Sequence, residues 1–153
     1  MMSYKKFALM LAISFVIMYL AMFLNIDRLS HYHNSLTRVY MSLLMVAPMA
    51  VSMMLLMGKM FPSPKKNKII ISVSLLVMVL AFAGLRNQVP IGDVQYMKAM
   101  IPHHSSAIMV SRNANITNPQ VKELSLQIIR SQEEEIAEME QLIREIKYIK
   151  LGR

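Results

Sequence analysis

Three stretches of this 153-residue chain, residues 7–26, 39–58 and 69–85, contain no charged side chain. An α-helix rises about 1.5 Å per residue, so each of the two 20-residue runs reaches about 30 Å, the thickness of a bilayer's hydrocarbon core. The third, at 17 residues, is slightly short and would rely on Lys68 and Arg86 reaching outward. Three transmembrane helices are therefore expected, within a membrane domain over residues 1–90. The Lys5-Lys6 start resembles that of a signal peptide. The apolar run after it is too long and no small-residue cleavage pattern follows, so the first helix reads as retained.

Charge then becomes a topology label. A net charge of +8 would suit a nucleic-acid binder if it formed one face. Residues 1–90 hold nine Lys and Arg against the single acid Asp27, whereas residues 91–153 hold eight against eight. The whole excess flanks the apolar runs, so nucleic acid is not an expected partner and a membrane is. Lys5, Lys6, Lys59, Lys65, Lys66 and Lys68 fall on one side of the three crossings, against Arg28, Arg38 and Arg86 on the other. The positive-inside bias puts the N-terminus in the cytoplasm and residues 91–153 outside. In a bacterium this is an inner-membrane protein with a periplasmic C-terminal domain.

With 17 Met, 4 His and no Cys, site chemistry must come from thioethers, imidazoles and carboxylates. Met41, Met45, Met49, Met53 and Met57 recur every four residues along the second run, with Met54 and Met60 nearby, and form a slowly drifting stripe. Such a stripe could be a soft-metal path or a partner-helix face. Methionine is also a flexible apolar filler at home in a bilayer, and that plainer reading is preferred. Pro48 is expected to bend this helix. His31 and His33, on either side of Tyr32 in the outer loop, read as solvated loop residues whose outward placement makes them worth testing.

Beyond the Val89-Pro90-Ile91-Gly92 linker, Asp93 reads as the N-cap of a helix to about Ala114. Asn118 caps a second helix with Pro119 at its first position, running to about Lys150. Residues 91–153 are thus expected to form an extracytoplasmic helical hairpin, and the fold class is all-α. The second helix carries Val121, Leu124, Ile128, Ile136, Met139, Leu142, Ile143 and Ile146 as its apolar stripe. Gln132 and Glu135 fall along the middle of that stripe, so the facing helix must supply them with partners. Glu133, Glu134, Glu138 and Glu140 read as a solvated face. On the first helix, Met97, Met100 and His104 share a face, while His103 diverges from His104 by about 100°.

Thioethers select Cu(I) or Ag(I), and imidazole accepts several metals, so a Met-and-His site argues for monovalent copper or silver. The expected arrangement is one His with Met100 or Met97, completed by Met139 or by a second chain. By spacing alone, His residues that cap and hydrogen-bond the core are an equal alternative.

These residues resemble a known family. Asp93, Tyr96-Met97, Met100-Ile101-Pro102-His103-His104, Ala107-Ile108-Met109, Asn118-Pro119, Val121, Leu124, Ile128-Ile129, Gln132, Glu135-Ile136 and Met139 are similar in order and separation to the domain of unknown function 305 family. The similarity covers about residues 93–142. It implies a ferritin-like helical module, exported or membrane-attached, with some members implicated in copper or silver binding and resistance. It also implies metal positions at Met97, Met100, His103, His104, Met109 and Met139, with Gln132 and Glu135 as the groups that orient them. Ser105 departs from the family, which often has Gln after the His pair. One hairpin is half of a four-helix bundle, so a homodimer is expected, and the Glu-x-x-His pairs of di-iron chemistry are absent.

The function expected is a membrane-anchored, periplasm-facing protein that captures Cu(I) or Ag(I) for copper tolerance or delivery. The alternative is a non-enzymatic assembly module whose His, Gln and Glu form a structural network. An enzyme is not expected, because no nucleophile with an orienting base, phosphate loop or catalytically spaced carboxylate pair is visible. Transport through the helices is the weaker variant, since no charged residue lies within a span.

Overall fold

A computed structural model describes residues 3–152, with the side chains of all but Lys150 and Leu151. Among the described residues there are five α-helices and no strand: α1 (Tyr4–Ala21), α2 (Leu36–Met57), α3 (Pro64–Asn87), α4 (Asp93–Asn113) and α5 (Pro119–Leu151). The protein is all-α, with three apolar helices followed by a helical hairpin. It divides into two compact units. A membrane unit comprises Met1–Met22 and Thr37–Pro90, and a hairpin unit comprises Phe23–Leu36 and Ile91–Arg153.

In the membrane unit three helices are long and apolar enough to cross a membrane. Ser3 caps α1, its side chain accepting from Lys5 N. Ser63 caps α3 in the same way from Lys66 N, with Pro64 in the first turn, where its missing N–H costs nothing. That cap sets α3 five residues earlier than the uncharged run and gives it 24 residues, so the third span is not short. Its first turns carry Lys65, Lys66 and Lys68, all exposed. Conversely α1 stops at Ala21, and residues 23–26 leave it to join the hairpin unit.

Phe7, Ala50, Met54 and Phe61 form a small core among the spans, with Met53, Ile70 and Ile71 packed on it. The Met stripe of α2 reaches that core at Met53 but is not buried along its length. Met41 and Met45 are exposed, and the most buried Met of the helix is Met54, off the stripe. Tyr40 packs against Gly84, where a Cβ would come within 2.8 Å of the ring, and its hydroxyl donates to the Val89 carbonyl.

In the hairpin unit Asn118 accepts from the backbone N–H groups of Gln120 and Val121, as its place before Pro119 predicts. At α4 the cap position is Gly92, not Asp93. Asp93 lies in the first turn, where its carboxylate meets the positive end of the helix dipole. The helices run antiparallel, since Ser111 meets Ser125 while His104, a turn or two earlier, meets Glu135. Met97, Ile101, Ile108, Ile136 and Ile143 are the core, with Val94, Ile129, Met139 and Ile146 packed on it. Each such burial contributes about 1.5–3 kcal/mol.

The buried line of α5 is therefore rotated from the expected stripe. It centres on Ser125, Ile136 and Ile143, whereas Val121, Leu124 and Leu142 are exposed. The reason is that α4 covers one flank of α5 and leaves the adjacent apolar flank open.

Candidate functional site

His104 occupies the middle of α4, a full turn after Met100 and two turns after Met97, so the three side chains rise from one face. Its Nε2 lies 2.8 Å from a Glu135 carboxylate oxygen across the hairpin, with the imidazole side chain 12% and the carboxylate 47% exposed. The facing helix thus supplies Glu135 with its partner, although Glu135 itself sits at the edge of the buried line and not in its middle. With Nε2–H donated to Glu135, the Nδ1 of a neutral imidazole carries a lone pair. That Nδ1 is buried and has no hydrogen-bond partner.

The other predicted donors divide around this pair. Met97 is buried in the core and Met139 packs against it. Met100 and Gln132 are half-buried. Gln132 precedes Glu135 by one turn and Met139 follows it by one, so both belong to the flank of α5 that carries the carboxylate. His103 is exposed, its ring centroid 6.0 Å from that of His104, and helix geometry turns it about 100° away. Met109 lies about 140° around α4 from His104, on the side of Ser105 and Gln95. The structure brings Met97, Met100, His104, Gln132, Glu135 and Met139 to one side of the hairpin and places His103 and Met109 elsewhere.

The opposite side is covered by a strap, the segment Phe23–Leu36, and here the sequence reading is corrected. His31 is buried, 8% exposed, and His33 is half-buried; neither is a solvated loop residue. Ser105, fully buried on α4, organises the contact. Its Oγ accepts the Asp27 backbone N–H at 2.7 Å and lies 2.8 Å from His31 Nδ1. Which of Ser105 Oγ and His31 Nδ1 donates follows the imidazole tautomer. Asn25 donates to Ser106 at 2.7 Å, and Leu36 N to Gln95 at 3.1 Å. Arg112 bridges the Asp27 carboxylate and Glu133, so Glu133 is tied into the unit and not merely solvated.

Burial lowers the pKa of His33 from its usual 6.5, opposed by the Glu140 charge and assisted by Lys98, His31 and Lys147. Sequence reasoning missed this wall. The signal that could have found it is Asp27, a lone acid in an otherwise acid-free 90 residues, which needs a cation.

A cavity of about 270 Å³ between strap and hairpin is lined by Asp27, Arg28, His31, Ile108, Glu133, Ile136, Ala137 and Glu140. Asp27 is held by Arg28 and Arg112, Glu133 by Arg112, and Glu140 lies 3.9 Å from Arg144. Among the described residues no three His, Asp or Glu side chains converge in a way that could hold a metal ion. The donors on the His104 side are one imidazole nitrogen, which accepts several metals, and thioethers, which are soft.

Comparison with known proteins gives two matches. Residues 80–144 match the family described as Domain of unknown function 305, and this span contains every residue of the His104 side. An uncharacterised protein of Acanthamoeba polyphaga mimivirus is 38% identical over 142 residues, covering 91% of each chain, so the likeness extends through the membrane helices. No solved structure matches.

Proposed function

The chain belongs to the domain of unknown function 305 family, and from that premise we propose that it captures Cu(I) or Ag(I) at a membrane surface. The observation that carries the reading is His104. A carboxylate holds one ring nitrogen while the other, buried, has no partner. This is the state in which an imidazole serves a metal, since a carboxylate on the far nitrogen fixes ring orientation and raises ligand basicity. Met100 supplies the nearest thioether in the helix register, with Met97 and Met139 behind it on the same side. Soft donors favour a monovalent ion, and unlike thiols they cannot be lost to disulfides outside the cytoplasm. The metal is cargo, taken up for tolerance or delivery, and no catalytic step is assigned.

The lysine distribution supports an extracytoplasmic hairpin unit, which in a bacterium faces the periplasm from the inner membrane. A homodimer fits the open flank of α5. Val121, Leu124, Ile128, Gln132, Glu135, Met139, Leu142, Ile146 and Ile149 are spaced almost symmetrically about Glu135, as two antiparallel copies of one helix require. A second copy seated there completes four helices and brings two His104 sites to the middle of the interface.

The test is titration of the full-length protein in detergent with Cu(I), Ag(I) and Zn(II). A defined Cu(I) stoichiometry, lost in the combined Met100→Leu and His104→Ala variant, is the expected result. Unchanged affinity in that variant, or preference for zinc, removes the site. The exposed Leu124, Leu142 and Ile149 favour the second reading, an assembly module, if dimerisation proves indifferent to metal. The chain has no Cys, so an Ile128→Cys protein mixed with Leu142→Cys should form a disulfide-linked dimer, while each alone should not.

A further inference from the structure

More than fifty positions separate Lys5 and Lys6 from Lys59, Lys65, Lys66 and Lys68, and the fold brings the two groups together. The Tyr4 hydroxyl is the pin. It lies 2.8 Å from Asn67 Oδ1 and 3.0 Å from the Ser63 carbonyl, and accepts the Ser63 N–H at 3.3 Å. Asn67 in turn donates to the Gly58 carbonyl at 2.8 Å, closing the turn between α2 and α3. The Tyr4 ring stacks on Phe61, which also takes the edge of Phe7. Lys66 Nζ stands 5.5 Å over the Tyr4 ring.

This polar and aromatic knot ties the Lys5-Lys6 end of α1 to the turn and helix start that carry Lys59, Lys65, Lys66 and Lys68. All six lysines are exposed. Among the described residues none forms an ion pair, and all nine acidic residues of the chain lie in the other unit. A set of mutually repelling cations with no internal counterion needs anions from outside. Each lysine stands at the end of a helix long and apolar enough to cross a membrane: in the first turn of α1, just past α2, or in the first turns of α3. The anions at that depth are lipid phosphates.

We propose that the Tyr4-pinned lysine cluster is a binding site for the anionic headgroups of the surrounding bilayer. The lysine stems lie along the apolar ends of the helices and their ammonium groups meet the phosphates, as expected of basic side chains at an interface. The inference is independent of the metal site.

The experiment uses the full-length protein in nanodiscs of phosphatidylcholine with about a fifth phosphatidylglycerol, counting the lipids that stay bound by native mass spectrometry. Phosphatidylglycerol should be retained in preference to phosphatidylcholine. A basic residue near an anionic surface is worth about 1 kcal/mol, or roughly fivefold, so Lys65→Gln/Lys66→Gln/Lys68→Gln should lower retention by more than tenfold. The matching arginine triple variant should restore it, and Arg86→Gln, at the other end of α3 and outside the cluster, should lower retention by no more than the roughly fivefold of a single charge. Tyr4→Phe keeps every charge but loses the pin, and should lower retention severalfold. Equal retention of the two lipids overturns the proposal, and so does full retention in Tyr4→Phe, which would reduce the cluster to bulk charge.

Discussion

The membrane unit and the hairpin unit use apolar side chains in opposite ways. Only 6% of the α1 span, 28% of the α2 span and 6% of the α3 span are buried against protein. In the hairpin Ile101 and Ile108 are almost wholly enclosed. Acids divide as sharply, since all nine belong to the hairpin unit. The difference teaches that burial has meaning only against a solvent. An exposed Leu on α3 is satisfied by lipid, whereas an exposed Leu142 on α5 faces water and asks for a partner.

The largest expected effect would break the comparison at the metal. Replacing Met100 with Leu and His104 with Ala should abolish Cu(I) binding while leaving the helical content of both units intact, as read by titration and circular dichroism. Glu135→Gln, which keeps the shape but weakens the hold on His104 Nε2, should cost about 10- to 100-fold in affinity. Next in size is Ser105→Ala. It strands the Asp27 N–H and His31 Nδ1, and should destabilise the hairpin unit by about 1–3 kcal/mol. Hydrogen exchange should then rise in residues 23–36 but not in α3.

A smaller effect sharpens the other side. Gly84→Ala drives a methyl group into the Tyr40 ring and should loosen α2 from α3 by about 1 kcal/mol, lowering thermal stability without changing exchange in the strap. The smallest is a pH effect. A histidine with a lowered native pKa is neutral in both states at high pH. As pH falls below about 6.5 the released strap takes up the proton first, so docking weakens with acid. Strap exchange should accelerate between neutrality and the native His33 pKa, and His33→Gln should flatten that dependence.

Much of the fold was legible because its signals are local. Uncharged runs of bilayer length mark the spans, and Asn118-Pro119 marks the start of α5. The His104–Glu135 pairing was legible as a demand, since a carboxylate beside an apolar stripe needs a partner. Which of the two adjacent histidines met it was settled by packing. The strap was not legible. Its hydrogen bonds join residues 59 to 85 positions apart, carry no periodicity, and centre on a serine that local propensity would leave at the surface. For the same reason α5 seemed centred on its whole apolar stripe, when α4 uses one flank and leaves Leu124 and Leu142 open. A fragment cut at residue 90 would also lack the wall that covers Ser105 and Arg112, so the hairpin alone is not the unit to test.

The strap also sets a schedule for synthesis. Asp27 emerges from the ribosome 78 residues before the Ser105 hydroxyl it will bind. At a translation rate of about 5–20 residues per second, the interval is on the order of ten seconds. During it α1, α2 and α3 can all be made while the one acid of the early chain has Arg28 beside it but not yet Arg112. The first loop therefore waits as an unfinished surface, and only the last helices to be made complete it.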